Sequence, residues 1–512
     1  MQEKVLSQIV SNFMRHISST STYIHLIQTV GLLTAFLLLI INISEQSYWL
    51  DEIFSVINST DFNSFYFALE QSGGNRIFYY LLLWPWIRLF GDHEFVTRLH
   101  TVLTCMLAVC LLYSFTAKFF GKKVGLISAG LLTINPFFLA YGKITRNYGL
   151  LLLLSVASVF SFLLLMRRKE FKFFILLATV NGLMVLTHPV AVPFILSQAV
   201  GVFLFWEWRK VPWIKLSLTF ALPALIYLIL PVVFGSPDSG QAEWLQPPDM
   251  TMVIYTLIEV FGGAFAMLFF AIVVFIVLLV KMISTAPFRY KDETFRVVLF
   301  LVVLFWLPIL LLVAVSHFIQ PAFWDRYLIV VFPVFIVLAG YVLSEIKIAV
   351  LTVALMILPI MTLLSADFDQ LTYTEDWRGV VELIYDEYQE GDTVGFFVYY
   401  GQRPFRYYLN REAAESQQSN TVQKTLALTE FADGAYFLNG GSRQPDHSQD
   451  AIRSLGTTYQ RVWFVVYAKR IFEDETLAQE AAIHNDLNQY FGPVMDKYDF
   501  EQIEVYLYHV EK

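Results

Sequence analysis

Charge is scarce in this chain. Only 15% of its 512 residues are Asp, Glu, Lys or Arg, against 57% that are hydrophobic, and the mean hydropathy is +0.57. Soluble globular proteins carry about a quarter charged residues, so that class is excluded. Basic residues are the minority sign: 35 Lys and Arg against 43 Asp and Glu leave a formal net charge of −8, which argues against nucleic acid as a partner. Cysteine is almost missing. The pair Cys105 and Cys110 sits five residues apart in one apolar run, where the two thiols can hardly bridge on one helix, and it says nothing about redox compartment. There is no HExxH, no Cys/His spacing of a zinc site, no internal repeat and no low-complexity tract. No cofactor and no dedicated metal site are expected, although a divalent metal ion held by Glu52 with other loop groups is left open.

What fills the space instead is a series of apolar runs. The first extends from Tyr23 to Ile43, and others lie near 95–117, 124–141, 148–166, 173–187, 189–206, 213–234, 253–280, 297–316, 326–343 and 347–364. About 20 apolar residues cross roughly 30 Å of hydrocarbon as a helix, whereas barrel strands are shorter and alternate. The expectation is a polytopic α-helical membrane protein with eleven spans over residues 1–365. The first run is too long for a signal peptide and is followed by Asn42-Ile43-Ser44-Glu45, a poor cleavage site, so it reads as a retained helix. Residues 44–94 form a long first loop, in which Ile77 to Trp86, with Pro85 inside, reads as an interfacial helix. Basic clusters at Lys122-Lys123, Arg167 to Lys172, Arg209-Lys210 and Arg289 to Arg296 then share one side, which the positive-inside rule makes cytoplasmic together with the N-terminus. Residues 366–512 have the composition of a soluble domain. Helical periodicity at Trp377 to Glu387 and Glu475 to Tyr490, with strand-like Thr393 to Tyr400, Val462 to Tyr467 and Ile503 to Tyr508, predicts a small α/β domain on the outer face.

The chemistry-bearing residues gather at helix ends on that same predicted outer side. Tyr48-Trp49-Leu50-Asp51-Glu52 follows the first span and places two carboxylates under an aromatic pair at the membrane boundary, where ionisable groups are costly and usually functional or paired. Adjacent residues diverge by about 100° on a helix, so the two cannot flank one bond as paired glycosidase carboxylates do. One carboxylate suffices when the leaving group is a phosphate, which needs cations rather than a general acid. Arg146 and Arg326 offer the planar guanidinium fork that suits phosphate oxygens. Each has a plainer reading as an interfacial anchor, and Arg326 as a local partner of Asp325. Lys143 and Arg76 are the next cations in these loops. His188, between Thr187 and Pro189, sits where a lone histidine is more often structural than a metal ligand, and His317 is weaker still.

These pieces resemble the membrane glycosyltransferases of the GT-C type, in the branch holding bacterial relatives of protein O-mannosyltransferases and the lipid A aminoarabinose transferase. The resemblance rests on Tyr48 to Glu52, Phe78 to Leu83 running on to Leu89-Phe90-Gly91-Asp92 and Arg98-Leu99, Thr145-Arg146-Asn147-Tyr148, Thr187-His188, Arg326-Tyr327-Leu328 and Asp376-Trp377-Arg378-Gly379, over residues 24 to about 400. It implies a GT-C fold and a sugar donor linked to polyprenyl phosphate. It further implies that Asp51, with Glu52, activates the acceptor and that Arg146, Arg326 and Lys143 hold the donor phosphate. Tyr48, Trp49, Arg76, Tyr79, Tyr148 and His188 would contact the acceptor or sugar. The acceptor would be a glycan, a lipid or a protein, reached at the outer face of an inner or plasma membrane. Many relatives carry His-Pro-Pro before the aromatic run. Here the matching place reads Gly74-Asn75-Arg76-Ile77, so the role of that histidine does not carry over and Arg76 stands there as an additional cation. Two other classes are a transporter or flippase of lipid-linked sugars, which predicts inverted repeats and midplane polar residues, and a non-catalytic envelope-assembly factor.

Overall fold

The computed structural model describes residues 20–205, 211–235, 247–261, 293–346, 374–397, 401–415, 437–438, 459–467 and 474–509. The apolar run at 347–364, residues 262–280 of the run at 253–280, and the basic residues Arg209, Lys210, Lys281, Arg289, Lys291 and Lys347 lie outside them. The chain divides into two compact units. The first holds Met1–Ile43 and Asn58–Leu371, the second Ser44–Ile57 and Thr372–Lys512. The long first loop is therefore shared between them, which differs from a single boundary near 366.

The first unit is helical. In chain order it contains α1 (Thr20–Ile40), α3 (Phe62–Gln71), α4 (Ile77–Phe90), α5 (Glu94–Phe120), α6 (Lys122–Thr133), α7 (Pro136–Gly142), α8 (Tyr148–Arg168), α9 (Phe171–Thr187), α10 (Ala191–Gly201), α11 (Trp213–Phe234), α12 (Met250–Val260), α13 (Glu293–Phe318) and α14 (Phe332–Glu345). Among the described residues α5, α8, α11 and α13 are each long and apolar enough to cross a membrane, and α6 with α7 forms a further pair bent by 63°. The bend has a local cause. Asn135 caps α7 by accepting from the N–H groups of Phe137 and Phe138 at 2.9 and 3.3 Å, and Pro136 occupies the first helical position. The run at 326–343 is likewise not one straight helix: Asp325–Val330 is a 3-10 turn, and α14 begins at Phe332.

Helix α4 is a short apolar helix with Pro85 inside it. Its 14 residues span about 21 Å at 1.5 Å per residue, with Tyr79, Tyr80, Leu83 and Ile87 buried and Leu81, Leu89 and Phe90 exposed. Helices α8, α9 and α10 are tied together by a closed ring of buried polar side chains. Ser158 donates to Asn181 at 2.6 Å, Asn181 to Gln198 at 2.9 Å, and Gln198 back to Ser158 at 2.6 Å. Interhelical hydrogen bonds of this kind fix helix register where apolar packing is permissive.

The second unit contains α2 (Leu50–Ile57), α15 (Trp377–Glu387), β1 (Asp392–Phe397), α16 (Gln402–Glu415), β2 (Phe437–Leu438), β3 (Arg461–Tyr467), α17 (Asp474–Phe491), β4 (Asp496–Phe500) and β5 (Ile503–His509). The strands form one sheet in the order β2-β1-β3-β5-β4. β2, β1 and β3 run parallel, with Val394 opposite Trp463, and β5 and β4 are antiparallel, with Trp463 opposite Leu507. The β1–β3 edge carries a buried ion pair. Arg461 makes two bonds to Asp392, at 2.8 and 2.7 Å, and Trp463 Nε1 donates to the same carboxylate at 2.9 Å, so the bidentate geometry and the third donor offset the desolvation of both charges.

Candidate functional site

In the second unit, Asp51 and Glu52 stand in the first turn of α2, where unsatisfied N–H groups and the helix dipole favour carboxylates. Glu52 is fully buried and Asp51 is half-buried, so Asp51 is the carboxylate that keeps access to solvent. The helix end is held by a residue far along the chain. Glu375 Oε2 accepts the Leu50 N–H at 2.9 Å and the Trp377 indole N–H at 2.6 Å. The Tyr48 N–H donates to the Tyr408 hydroxyl at 2.6 Å, and the Tyr48 ring meets Tyr407 edge-on at 5.8 Å. Arg403 lies over the Phe54 ring at 4.5 Å. Tyr48 and Trp49 are thus buried in packing. Sequence reasoning missed Glu375, although the neighbouring Asp376-Trp377-Arg378-Gly379 was a signal. Because Glu375 supplies a charged acceptor to two buried donors, Glu375→Ala is expected to cost about 2 to 4 kcal/mol. Glu375→Gln, which keeps an acceptor oxygen, should lose less. Thermal melting of the purified variants checks this, and an unchanged midpoint in Glu375→Ala would remove Glu375 as the clamp.

In the first unit, the loop entering α4 has three positive φ angles in four residues: Gly73 at 60°, Gly74 at 75° and Arg76 at 68°. A Cβ on Gly74 would stand 2.6 Å from Phe234 and 2.9 Å from Leu230, so only glycine passes this close to α11. Arg76 caps α4 in the left-handed region, an uncommon conformation for a side-chain-bearing residue, and its Nε is buried with no hydrogen-bond partner among the described residues.

Arg146 lies in the turn between α7 and α8, is only 3% exposed, and has its guanidinium 6.0 Å from the Tyr148 ring. The turn is pinned by Thr97 against Thr145 at 2.8 Å and by Asn147, whose amide donates to the Thr187 carbonyl at 3.0 Å. That bond brings the end of α9, and with it His188, beside the Arg146 turn. Arg326, 8% exposed, opens the 3-10 turn with its guanidinium 5.5 Å from the Trp324 ring, while Asp325 accepts the Tyr141 hydroxyl at 2.7 Å.

His188, in the junction between α9 and α10, is held well below the ordinary histidine range by burial first and then by the charges of Arg76, Arg146 and Arg326. The His188 ring also packs on Tyr327, the neighbour of Arg326, at 4.8 Å. The Lys143 ammonium donates to the Ile41 carbonyl at 3.1 Å. Tyr79 is buried against Tyr80 and His100, and Tyr148 against Tyr141. His317 is exposed and engages the Val313 carbonyl of its own helix at 3.0 Å. Among the described residues no group of three or more His, Cys, Asp or Glu side chains is placed to hold a metal ion.

The helical unit, with helices long and apolar enough to cross a membrane, and the small mixed sheet have the GT-C fold of the membrane glycosyltransferases, carried by the structural matches that follow. Over residues 77–234 the chain matches the family model described as dolichyl-phosphate-mannose-protein mannosyltransferase. The crystal structure of ArnT from Cupriavidus metallidurans bound to undecaprenyl phosphate superposes with a TM-score of 0.57 at 13% identity, covering 96% of this chain and 98% of that one. Its apo state gives the same TM-score and coverage at 14% identity. At these identities the likeness is one of fold. The archaeal oligosaccharyltransferase AglB from Archaeoglobus fulgidus is more distant, with a TM-score of 0.47 at 14% identity over 87% of this chain and 69% of that one, and carries no argument. No curated protein matches the chain by sequence.

Proposed function

We infer that the protein is an inverting glycosyltransferase that takes a sugar from a polyprenyl-phosphate donor and transfers it to an acceptor at the outer face of the membrane. The observation that carries this reading is the meeting of two arginine-bearing turns at His188: Asn147, next to Arg146, donates to the Thr187 carbonyl at 3.0 Å, and Tyr327, next to Arg326, packs on the His188 ring at 4.8 Å. A phosphate that leaves with its electron pair gains negative charge as the glycosidic bond breaks. Fixed guanidinium groups in a site of low dielectric stabilise that developing charge more than they stabilise the starting diester. A lipid-linked donor suits the setting, because each prenyl CH₂ removed from water contributes about 0.8 kcal/mol. ArnT, whose fold the chain shares, was crystallised with undecaprenyl phosphate, which supports a donor of this class. Asp51 is the residue assigned to take the acceptor proton, since it is the half-buried member of the carboxylate pair. One accessible carboxylate in the Tyr48 to Glu52 stretch suits a single displacement, which inverts the anomeric centre.

The test is purified protein offered labelled polyprenyl-phosphate sugars and nucleotide sugars with an envelope extract as acceptor source. Label should leave the polyprenyl lipid and not the nucleotide; loss from the nucleotide alone would overturn the reading. Sidedness has its own prediction. In a background lacking Cys105 and Cys110, a cysteine at exposed Asn63 should react with an impermeant thiol reagent in intact cells, and one at exposed Lys169 should react only after lysis. The opposite pattern inverts the topology.

A further inference from the structure

Of the polar side chains grouped in the membrane unit, His188 is the one whose chemistry the arginines do not explain. It terminates α9 in an extended conformation, with φ −165° and ψ 138°. Its Nδ1 accepts the Val190 N–H at 3.1 Å. A ring nitrogen that accepts carries no proton, so in the neutral imidazole the single proton resides on Nε2. The backbone of the α9–α10 junction thereby selects one tautomer. The ring is fixed in place as well. Tyr327 packs on it, and Asn147 holds the preceding Thr187 carbonyl against the Arg146 turn. His188 is 5% exposed, and beyond the Val190 bond it makes no hydrogen bond with the described residues.

Resting on the phosphate-site reading above, we propose that His188 is an uncharged hydrogen-bond donor of the donor-phosphate subsite, presenting Nε2–H to a phosphate oxygen that the surrounding arginines attract. The role follows from a division of labour. Arginines supply charge, and further cations would retain the product phosphate. A neutral donor adds direction to the oxygen lone pair without adding charge. It also keeps its proton throughout the reaction, so His188 is neither general acid nor general base. The groups acting on the ring are Arg76, Arg146 and Arg326, all cationic, and the Tyr327 ring. All three cations oppose a second proton on the imidazole, which preserves the donor–acceptor pattern across the working pH range.

The experiment uses full-length protein in proteoliposomes, labelled with ¹⁵N-histidine, and farnesyl phosphate as a sugar-free probe. The nine histidines are separated by difference against His188→Gln. The proposal expects the His188 ring nitrogens to show the Nε2–H tautomer, unchanged between about pH 5.5 and 8, and the Nε2 resonance to move when farnesyl phosphate is added. His188→Phe should weaken farnesyl phosphate binding about tenfold, as loss of one hydrogen bond to a charged acceptor does. His188→Gln, whose amide places an N–H near the Nε2 position, should recover most of it. An Nδ1–H tautomer, a titration within that pH range, or normal binding in His188→Phe while Arg146→Ala loses it would overturn the proposal and leave the glycosyltransferase reading standing. Normal binding in both variants would overturn both.

Discussion

Replacing Asp51 by Asn is expected to lower turnover by about 10² to 10⁴, the usual contribution of a positioned general base, while expression and donor binding stay near normal. The substitution keeps shape and one acceptor oxygen at the first turn of α2 and removes only the capacity to take a proton. Asp51 is the residue to test because Glu52 beside it is fully buried and Asp51 is not. Glu52→Gln should act chiefly on folding stability, since it alters a side chain closed off from substrate. Steady-state transfer from a labelled lipid donor separates these outcomes. Near-wild-type turnover in Asp51→Asn removes the residue from the chemistry.

Arg146→Ala should lower kcat/KM by about two orders of magnitude or more, the scale of losing one transition-state donor. The Arg146 guanidinium is almost wholly buried at the head of α8, faces the Tyr148 ring and acts electrostatically on His188. Removal takes away charge that matters more as the phosphate departs, so kcat should fall together with affinity. Arg146→Lys restores a point charge without the two-pronged geometry and should be intermediate. Arg326→Ala should shift the same way by a smaller factor, because Asp325 already stands beside it in the turn. Measurement at subsaturating donor reads kcat/KM directly. If both alanine variants transfer at the wild-type rate, the arginines are interfacial anchors and Arg76 and Lys143 become the phosphate candidates.

Much of the architecture could be read from one sequence because a membrane span announces itself by length and apolarity. Runs at 95–117, 148–166, 213–234 and 297–316 correspond to α5, α8, α11 and α13 within a few residues. The tail showed its α/β character through the strands at 392–397, 461–467 and 503–509. Departures from straight helix were less visible. Asn135-Pro136 bends one run through a side-chain cap, and the run from Arg326 starts as a 3-10 turn, both decided by local hydrogen bonding beneath a uniform apolar pattern. At the site, Arg146, His188 and Arg326 stood out as polar residues at helix ends, because such groups are rare in apolar sequence. Their gathering around His188 did not, since it depends on helix packing and on the bond from Asn147 to the Thr187 carbonyl. Arg76 read both as an acceptor contact and as an additional cation, and its charge acts on His188 with the other two arginines. Glu375 was invisible for the same reason: it meets Leu50 across 325 residues of chain, and no periodicity encodes that distance.

The central claim is that a glycosidic bond to a polyprenyl phosphate is broken and its sugar passed on. The direct measurement follows both halves of a doubly labelled donor, sugar and prenyl chain, in proteoliposomes containing the purified protein and an acceptor extract. Free polyprenyl phosphate should appear in step with sugar on a non-prenyl product, and both signals should fall together in Asp51→Asn and Arg146→Ala. Intact lipid-linked sugar arriving in the opposite leaflet, with the two labels still joined, would contradict this account and identify the protein as a flippase.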